Sequence, residues 1–107
     1  MAGYVAEVLA LVARIPSGRV LAYIDIAEYL YAASERGSPA VVASIMVSHG
    51  ADVPNWHRVV SGGGRLRPGR ETEARGRLVA EGVPFRGSRV LMADARWLRR
   101  GMDGADE

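Results

Sequence analysis

Apolar residues at the start of the chain recur with the period of a helix. Four of them stand at positions i, i+3, i+4 and i+7: Val5, Val8, Leu9 and Val12. This spacing places the side chains on one face and predicts an amphipathic helix over residues 3–14. The Ile-Pro-Ser-Gly segment at 15–18 ends it, because proline and glycine interrupt helical geometry. A short extended link is expected at 19–21.

Two further helices are predicted, over residues 24–33 and 39–48. The apolar residues of the first that should face a core are Ile26, Ala27 and Leu30. Ser38 and Pro39 suit the start of the second, because serine accepts a bond from a free helix amide and proline has no amide hydrogen. With the glycine-containing turn at 35–37, the two helices form a helix-turn-helix pattern. Helical hairpins are also common in ordinary cores, so the pattern is a weak signal.

The second half of the chain alternates short apolar segments with polar loops. The predicted elements are a loop at 49–55, an extended pair at 59–60, a glycine turn at 61–64, a basic loop at 65–70, a helix over 71–81 and a hairpin over 83–91. Acidic residues in the first turn of that helix favour its dipole, and Gly82 is suited to end it. The whole pattern predicts a small α/β domain that is mainly helical.

The length bounds the organisation of the chain. Its 107 residues suffice for one small domain with a modest core, which we assign to residues 1–100. The acidic segment 101–107 is expected to be a disordered tail. No apolar run of about 18 residues occurs, and the first residues lack the basic start of a secretory signal. We therefore expect no membrane association, and a monomer.

The chain contains no cysteine and two histidines. This composition excludes disulfides and thiolate ligands and fits a reducing compartment. We expect a cytoplasmic, nucleoid-associated protein. Two histidines without cysteine make a zinc site improbable, so we expect no metal and no cofactor.

All 14 basic residues are arginine, and they are unevenly distributed. Residues 58–100 contain 11 arginines and 4 acidic residues, whereas residues 1–57 contain 3 arginines and 5 acidic residues. A basic half indicates an anionic partner, with nucleic acid first. A genome that favours arginine codons would give a solvated surface of the same charge, so charge alone leaves the partner open.

Three motifs occur along the chain. Residues 15–23 read Ile-Pro-Ser-Gly-Arg-Val-Leu-Ala-Tyr, residues 54–60 read Pro-Asn-Trp-His-Arg-Val-Val, and residues 78–83 read Leu-Val-Ala-Glu-Gly-Val. With these motifs, residues 4–92 resemble the DNA-binding domain of the O6-alkylguanine-DNA alkyltransferases, whose active-site motif is Pro-Cys-His-Arg-Val. The resemblance implies a winged-helix-like DNA-binding domain of the alkyltransferase C-terminal type.

Trp56 stands where that family has its alkyl-accepting cysteine. A thiolate is a strong nucleophile that an indole cannot replace, and the chain has no other thiol. The pattern is similar to that of the alkyltransferase-like proteins, which implies a protein without enzymatic activity. The implied function is binding of O6-alkylguanine in double-stranded DNA by minor-groove docking and nucleotide flipping. The bound lesion would be flagged for nucleotide excision repair proteins.

The resemblance also implies roles for single residues. Tyr23 should crowd the 3′ phosphate and help to rotate the nucleotide out of the helix. Trp56 should pack against the extruded base. His57 and Glu81 correspond to the general base and its orienting carboxylate, and without a thiol they should remain as a hydrogen-bonded brace.

An arginine should sense the modified guanine, because a guanidinium can donate to both O6 and N7. Arg67 and Arg70 are the candidates, and Arg70 is preferred. Arg58 should brace the motif or contact a phosphate. The predicted lesion pocket comprises Tyr23, Trp56, His57, Val59, Arg67 and Arg70. The predicted DNA-binding residues are Tyr23, Arg36, Ser38, Pro39, Ala40, Val41, Ala43, Ser44 and Arg58.

Two positions depart from the family pattern. Ala40 stands where the family has an arginine that fills the gap left by the flipped base, and Arg36 is the nearest substitute. Losing the intercalating guanidinium should weaken the flipped state. Asn55 stands where the family has proline, and it should loosen the backbone and add a polar group at the pocket rim.

Three other functions fit parts of the pattern. A DNA-binding transcriptional regulator with a degenerate pocket needs only the helix-turn-helix. A protein-interaction module needs neither DNA nor a pocket. A hydrolytic enzyme would use His57 and Glu81, but the sequence offers it no evident nucleophile. The affinities for DNA with and without one alkylated guanine distinguish a transcriptional regulator from a lesion-recognition protein.

Overall fold

The computed structural model describes residues 2–34, 37–49 and 53–97. Arg36 and the acidic tail at 101–107 lie outside these residues. The described elements are α1 (Ala2–Arg14), β1 (Leu21–Ala22), α2 (Tyr23–Ser34), α3 (Pro39–His49), a 3-10 helix (Trp56–Arg58), β2 (Val59–Val60), α4 (Glu71–Ala80), β3 (Phe85–Arg86), β4 (Arg89–Val90) and α5 (Met92–Ala95). The prediction of a mainly helical α/β domain is therefore confirmed.

Helices α1, α2 and α3 pack together around an apolar core. The buried side chains that they contribute include Tyr4, Val8, Leu11, Val12, Ile26, Ala27, Leu30, Val42, Ile45 and Met46. Ser38 Oγ accepts a hydrogen bond of 3.2 Å from the Val41 amide, which confirms Ser38 as the cap of α3. Gly37 has a φ of 97° in the turn before it, and a Cβ there would collide with the Tyr4 ring. Glycine is thus needed for the close packing of this turn on α1.

A short parallel pair joins two distant parts of the chain. Leu21 pairs with Val59, and Ala22 pairs with Val60. All four residues are buried. Because the pair is parallel, Tyr23, which follows β1, lies at the same end as Ser61, which follows β2, and both line one cavity. The 3-10 helix precedes β2 and lies at the other end of the pair. Parallel pairing between distant segments leaves no local signal in a sequence, and it was not predicted.

The C-terminal part forms the predicted hairpin and one helix that was missed. Strands β3 and β4 are antiparallel, with Phe85 opposite Val90, so the hairpin over 83–91 is confirmed. The helix Met92–Ala95 was not predicted, because one turn is too short to show a period. The next residue, Arg96, forms a bridge with Val20, which ties the C-terminal segment to the link before β1.

Candidate functional site

A hydrogen-bond network centred on the Glu81 carboxylate involves two residues of the 3-10 helix. His57 Nε2 lies 2.8 Å from Glu81 Oε2. Arg58 donates to the same carboxylate from Nε and from Nη2, the latter at 2.7 Å, and its Nη1 donates to the Ile15 carbonyl at 2.7 Å. The Gly18 amide adds a bond of 3.2 Å to Glu81 Oε1. The network thus connects the motifs at 15–23, 54–60 and 78–83.

The network strongly favours the ionised form of Glu81. Burial by itself raises the pKa of this carboxyl, but hydrogen bonds from Arg58, His57 and Gly18 outweigh it and lower the pKa to about 2. A carboxylate that accepts several bonds, one of them from a guanidinium, is stabilised as the anion. His57 Nδ1 is buried and meets no protein partner within the described residues. The predicted brace role of His57 and Glu81 is compatible with these contacts and stays a prediction.

Trp56 is buried, and arginine side chains cover its ring. The residue is 3% exposed. The guanidinium carbon of Arg70 lies 4.5 Å from the ring centroid, that of Arg77 5.6 Å and that of Arg67 5.8 Å. Cations over an indole face are attracted by its quadrupole. In this conformation a base can reach the ring only after the arginines move.

The two arginines proposed as sensors have different surroundings. Arg70 forms an ion pair with Glu73 at 2.6 Å, and Glu73 also pairs with Arg77 at 2.9 Å. Arg67 pairs with no carboxylate in the described part of the chain, and its Nη2 makes a long bond of 3.5 Å to the Val47 carbonyl. Its Nη1 is buried without an acceptor among the described residues. A buried donor without a partner is costly, so Arg67 is the better placed of the two to accept a new partner.

Tyr23 is the first residue of α2, and its backbone is fixed by its neighbours. The Ala22 amide donates to Asp25 Oδ2 at 2.8 Å, and Arg96 Nε donates to the same oxygen at 3.0 Å. Burial raises the pKa of the Tyr23 phenol above its ordinary value, and the charge of Arg67 partly opposes this. Tyr23 is therefore half-buried, neutral and close to Arg67.

A cavity of about 740 Å³ opens between α3, the loop after β2, α4 and the C-terminal hairpin. One part of its lining is largely apolar: Tyr23, Ala43, Val47, Leu66 and Pro68. Charged residues line another part: Arg65, Glu71, Arg75 and Arg89. Of the predicted lesion-pocket residues, only Tyr23 lines this cavity. Trp56, His57 and Val59 are buried beside it in the core, and Arg67 and Arg70 lie over the Trp56 ring.

The predicted DNA-binding surface of α3 carries small side chains. Pro39, Ala40 and Ser44 are exposed, and Val41 and Ala43 are partly buried. Val47, which the sequence analysis did not select, is 62% exposed at the cavity edge. Its helical spacing from Ala43 could have indicated this. Arg58, in contrast, has its donors directed to Glu81 and Ile15, so a phosphate would have to compete for them.

The expectation that Asn55 loosens the backbone before Trp56 is wrong. Asn55 has a φ of 66° and a ψ of 18°, a left-handed conformation that asparagine tolerates and proline cannot adopt. Its Nδ2 donates to the carbonyls of Val12 and Ala13 at 3.3 and 3.0 Å. The side chain thus points to the end of α1, where it bonds two carbonyls of the last turn, of which that of Val12 also accepts the Ile15 amide at 3.1 Å. Asn55 anchors this segment.

Within 2–34, 37–49 and 53–97, no group of three or more potential metal ligands comes together. No helix in this part of the chain has the length and apolar character needed to cross a membrane.

Two comparisons with known proteins find a similar domain and a similar fold. Residues 4–83 match the family model for the 6-O-methylguanine DNA methyltransferase DNA-binding domain. The fold is similar to the crystal structure of S. pombe Atl1 in complex with damaged DNA containing O6-carboxymethylguanine, with a TM-score of 0.73 and 26% sequence identity. The similarity covers 92% of this chain and 97% of that one. A search of curated proteins finds no match.

Proposed function

Since this chain belongs to the family of the 6-O-methylguanine DNA methyltransferase DNA-binding domain, we propose that it binds O6-alkylguanine in duplex DNA without removing the alkyl group. The observation that supports this proposal most strongly is Trp56, which precedes the hydrogen-bonded residues His57, Arg58 and Glu81. The chain has no cysteine. The scaffold around the acceptor position is complete, but the nucleophile is absent. The chain therefore has the means to hold a lesion and lacks the thiol that would accept its alkyl group.

Helix α3 is proposed as the element that enters the minor groove. Its exposed residues near the N-terminus are small, so the helix can approach the groove floor without collision. The basic half of the chain supplies charge for phosphates. The similarity to a protein whose structure contains damaged DNA supports this mode.

The damaged nucleotide is proposed to leave the base stack. The O6 atom lies on the major-groove edge of guanine, so a protein that docks in the minor groove must extrude the base to read its substituent. Tyr23 lies at the lining of the cavity next to α3, where it can displace the flanking phosphate. The neighbouring apolar wall and the cavity volume suit an extruded base, since ligand pockets are mostly apolar with few placed polar groups.

Arg67, rather than Arg70, is proposed to read the lesion. Its buried Nη1, which meets no acceptor among the described residues, can donate to the modified guanine once the side chain moves from the Trp56 ring towards the neighbouring cavity, whereas Arg70 already pairs with Glu73. Replacing Arg67 by glutamine should reduce the preference for the lesion, and replacing Arg70 should change it less. We further propose that the protein is a cytoplasmic monomer. Once bound, it would mark the lesion for nucleotide excision repair proteins.

The test is binding of the protein to two duplexes at one salt concentration, identical except for a single O6-methylguanine. We expect tighter binding to the modified duplex, and weaker preference in the Arg67→Gln variant. Equal affinity for both duplexes would leave a DNA-binding regulator as the better account. No binding to either would favour an interaction module.

A further inference from the structure

Three guanidinium groups lie over the Trp56 ring, and two of them share one carboxylate. The groups of Arg67, Arg70 and Arg77 form an arginine cover, with guanidinium carbons 5.8, 4.5 and 5.6 Å from the ring centroid. Glu73 Oε1 accepts from Arg70 Nη2 at 2.6 Å, and its Oε2 accepts from Arg77 Nη2 at 2.9 Å. Each ion pair that Arg70 and Arg77 form within the described residues is with Glu73.

Helical spacing places Glu73 between its two partners. Arg70 precedes it by three residues and Arg77 follows it by four, and side chains at these spacings are neighbours on a helix. Helix α4 packs against the 3-10 helix that carries Trp56. Glu73 itself is exposed, so its carboxylate ties the two guanidinium groups together from the solvent side of the cover.

The charges of the cover make this carboxylate necessary for its closed form. Guanidinium groups that converge on one ring repel one another, and Glu73 opposes two of the three positive charges. Hydrogen bonding to Arg70 lowers the pKa of Glu73, and the charges of Arg70 and Arg77 act in the same direction. Exposed ion pairs are individually weak, so the cover is held closed and can still open when a ligand competes for the ring.

The closed cover controls access to the indole. Trp56 is 3% exposed, and Arg70 is the member of the cover nearest to the ring centroid. A base that stacks on the ring must therefore displace Arg70. DNA that is bound without an extruded base makes no contact with Trp56 and leaves the cover in place.

We propose that Glu73 is a positioning residue that holds Arg70 and Arg77 over Trp56, and that release of this carboxylate opens the ring to a damaged base. The holding of the cover is a property of the free protein, whereas its opening for a base rests on the proposed function. A binding-competent state with a low population reduces the apparent affinity of its ligand. Glu73 thus reduces the affinity for the lesion by favouring the closed cover.

The first measurement is the quenching of Trp56 fluorescence by acrylamide in the free protein. A Trp97→Phe background leaves Trp56 as the one tryptophan of the chain, and acrylamide is neutral, so the charge of a variant does not affect it. We expect the quenching constant to rise about twofold in Glu73→Gln, because two weak ion pairs are lost. Glu73→Asp should raise it at unchanged net charge, because the shorter side chain cannot reach both arginines.

The second measurement compares affinities for two duplexes that carry guanine or O6-methylguanine at one position. Removing a negative charge strengthens binding to any DNA, so the ratio of the two affinities is the informative quantity. We expect the ratio to rise about threefold in Glu73→Gln. Glu7→Gln is the control for both measurements, because Glu7 is an exposed carboxylate of α1 that forms no ion pair with the cover. It should change neither value.

The outcomes separate this inference from the proposed function. An unchanged quenching constant in Glu73→Gln overturns the holding role of Glu73. Increased quenching with an unchanged affinity ratio overturns the opening step, and the inference with it, while the proposed function stands. No preference for O6-methylguanine in the unmodified protein overturns the proposed function and the opening step together.

Discussion

At the scale of single residues, the surroundings of Trp56 decide how a base could contact its ring. The indole is buried next to His57, and its face is covered by the guanidinium of Arg70. A cysteine side chain would leave much of this volume empty. The ring therefore fills the core and at the same time presents an aromatic face that a base could use once the arginine cover moves.

Replacing Trp56 by phenylalanine should preserve the fold but reduce lesion preference, because a smaller ring offers less stacking surface. Replacement by alanine should destabilise the protein by about 3–5 kcal/mol, as for other buried aromatic residues. Urea unfolding and competition binding measure the two effects. Trp97→Phe is the matched control, because this tryptophan also lies under an arginine, Arg14 at 5.8 Å, but outside the proposed site. Equal loss of lesion preference in both variants would contradict the role of Trp56.

Replacing Tyr23 by alanine should weaken binding to all modified duplexes, because the residue is proposed to act on the phosphate beside the lesion and not on the base. Tyr31→Ala is the control, since Tyr31 lies on the same helix and is 54% exposed. Affinity measured by fluorescence anisotropy should fall only in the Tyr23 variant. An unchanged affinity would remove Tyr23 from the DNA interface.

At the scale of elements, hydrogen bonds at both ends of the 3-10 helix hold it to the C-terminal end of α1. Asn55 donates to the Val12 and Ala13 carbonyls before it, and Arg58 donates to the Ile15 carbonyl at its end. The Val12 and Ala13 carbonyls belong to the last turn of α1 and the Ile15 carbonyl follows it, and the Val12 carbonyl also accepts a bond of 3.1 Å from the Ile15 amide. The orientation of the segment that carries Trp56 therefore depends on α1.

Replacing Asn55 should destabilise the protein least with glycine, more with alanine and most with proline. Glycine keeps the left-handed backbone and loses only the side-chain bonds, at a cost of about 1 kcal/mol. Alanine adds backbone strain, for a total of about 2 kcal/mol. Proline, the residue of the family pattern, cannot adopt the observed φ and should cost most. Urea midpoints give the order, and a stable Asn55→Pro variant would show that the segment can adopt another conformation.

The periodicity of apolar residues and the turn residues predicted the helices and the hairpin, but not the contacts between them. The helices corresponding to α1, α2, α3 and α4 and the final hairpin follow from local patterns, because apolar spacing and glycine positions act over a few residues. The β1–β2 pairing and the Asn55 anchor join distant segments, and no local pattern reports them. Motif resemblance selected Tyr23, Trp56, His57 and Glu81, of which the fold places His57 against both Trp56 and Glu81, but it did not reveal the arginine cover on Trp56.

At the scale of the whole molecule, the Glu81 network links the N-terminal part of the chain with α4 and should make stability depend on pH. The pKa of Glu81 in the folded protein is about 2, against an ordinary value of 4.5. A lowered folded-state pKa gives stabilisation that is complete above about pH 4.5 and is lost as the pH falls towards 2. The contribution is about 3 kcal/mol.

The Glu81→Gln variant should therefore lose stability at pH 6 and show a flatter pH dependence between about pH 4.5 and 2 than the unmodified protein. The change at pH 6 includes the cost of leaving Arg58 without its carboxylate. Urea unfolding at several pH values measures both effects. Glu73→Gln is the control, because hydrogen bonding to Arg70 also lowers the pKa of Glu73, but this carboxylate lies in solvent that screens its interactions. Identical pH profiles for both variants would contradict the stabilising role of the network.

The most direct test of recognition without transfer is a single competition measurement. A duplex with one O6-methylguanine, radiolabelled in the methyl group, is mixed with excess protein and unmodified competitor DNA, and the label is then located. The account predicts that the protein partitions to the modified duplex and that all the label stays on guanine. Equal partition between the duplexes, or label recovered on protein or in solution, would contradict it.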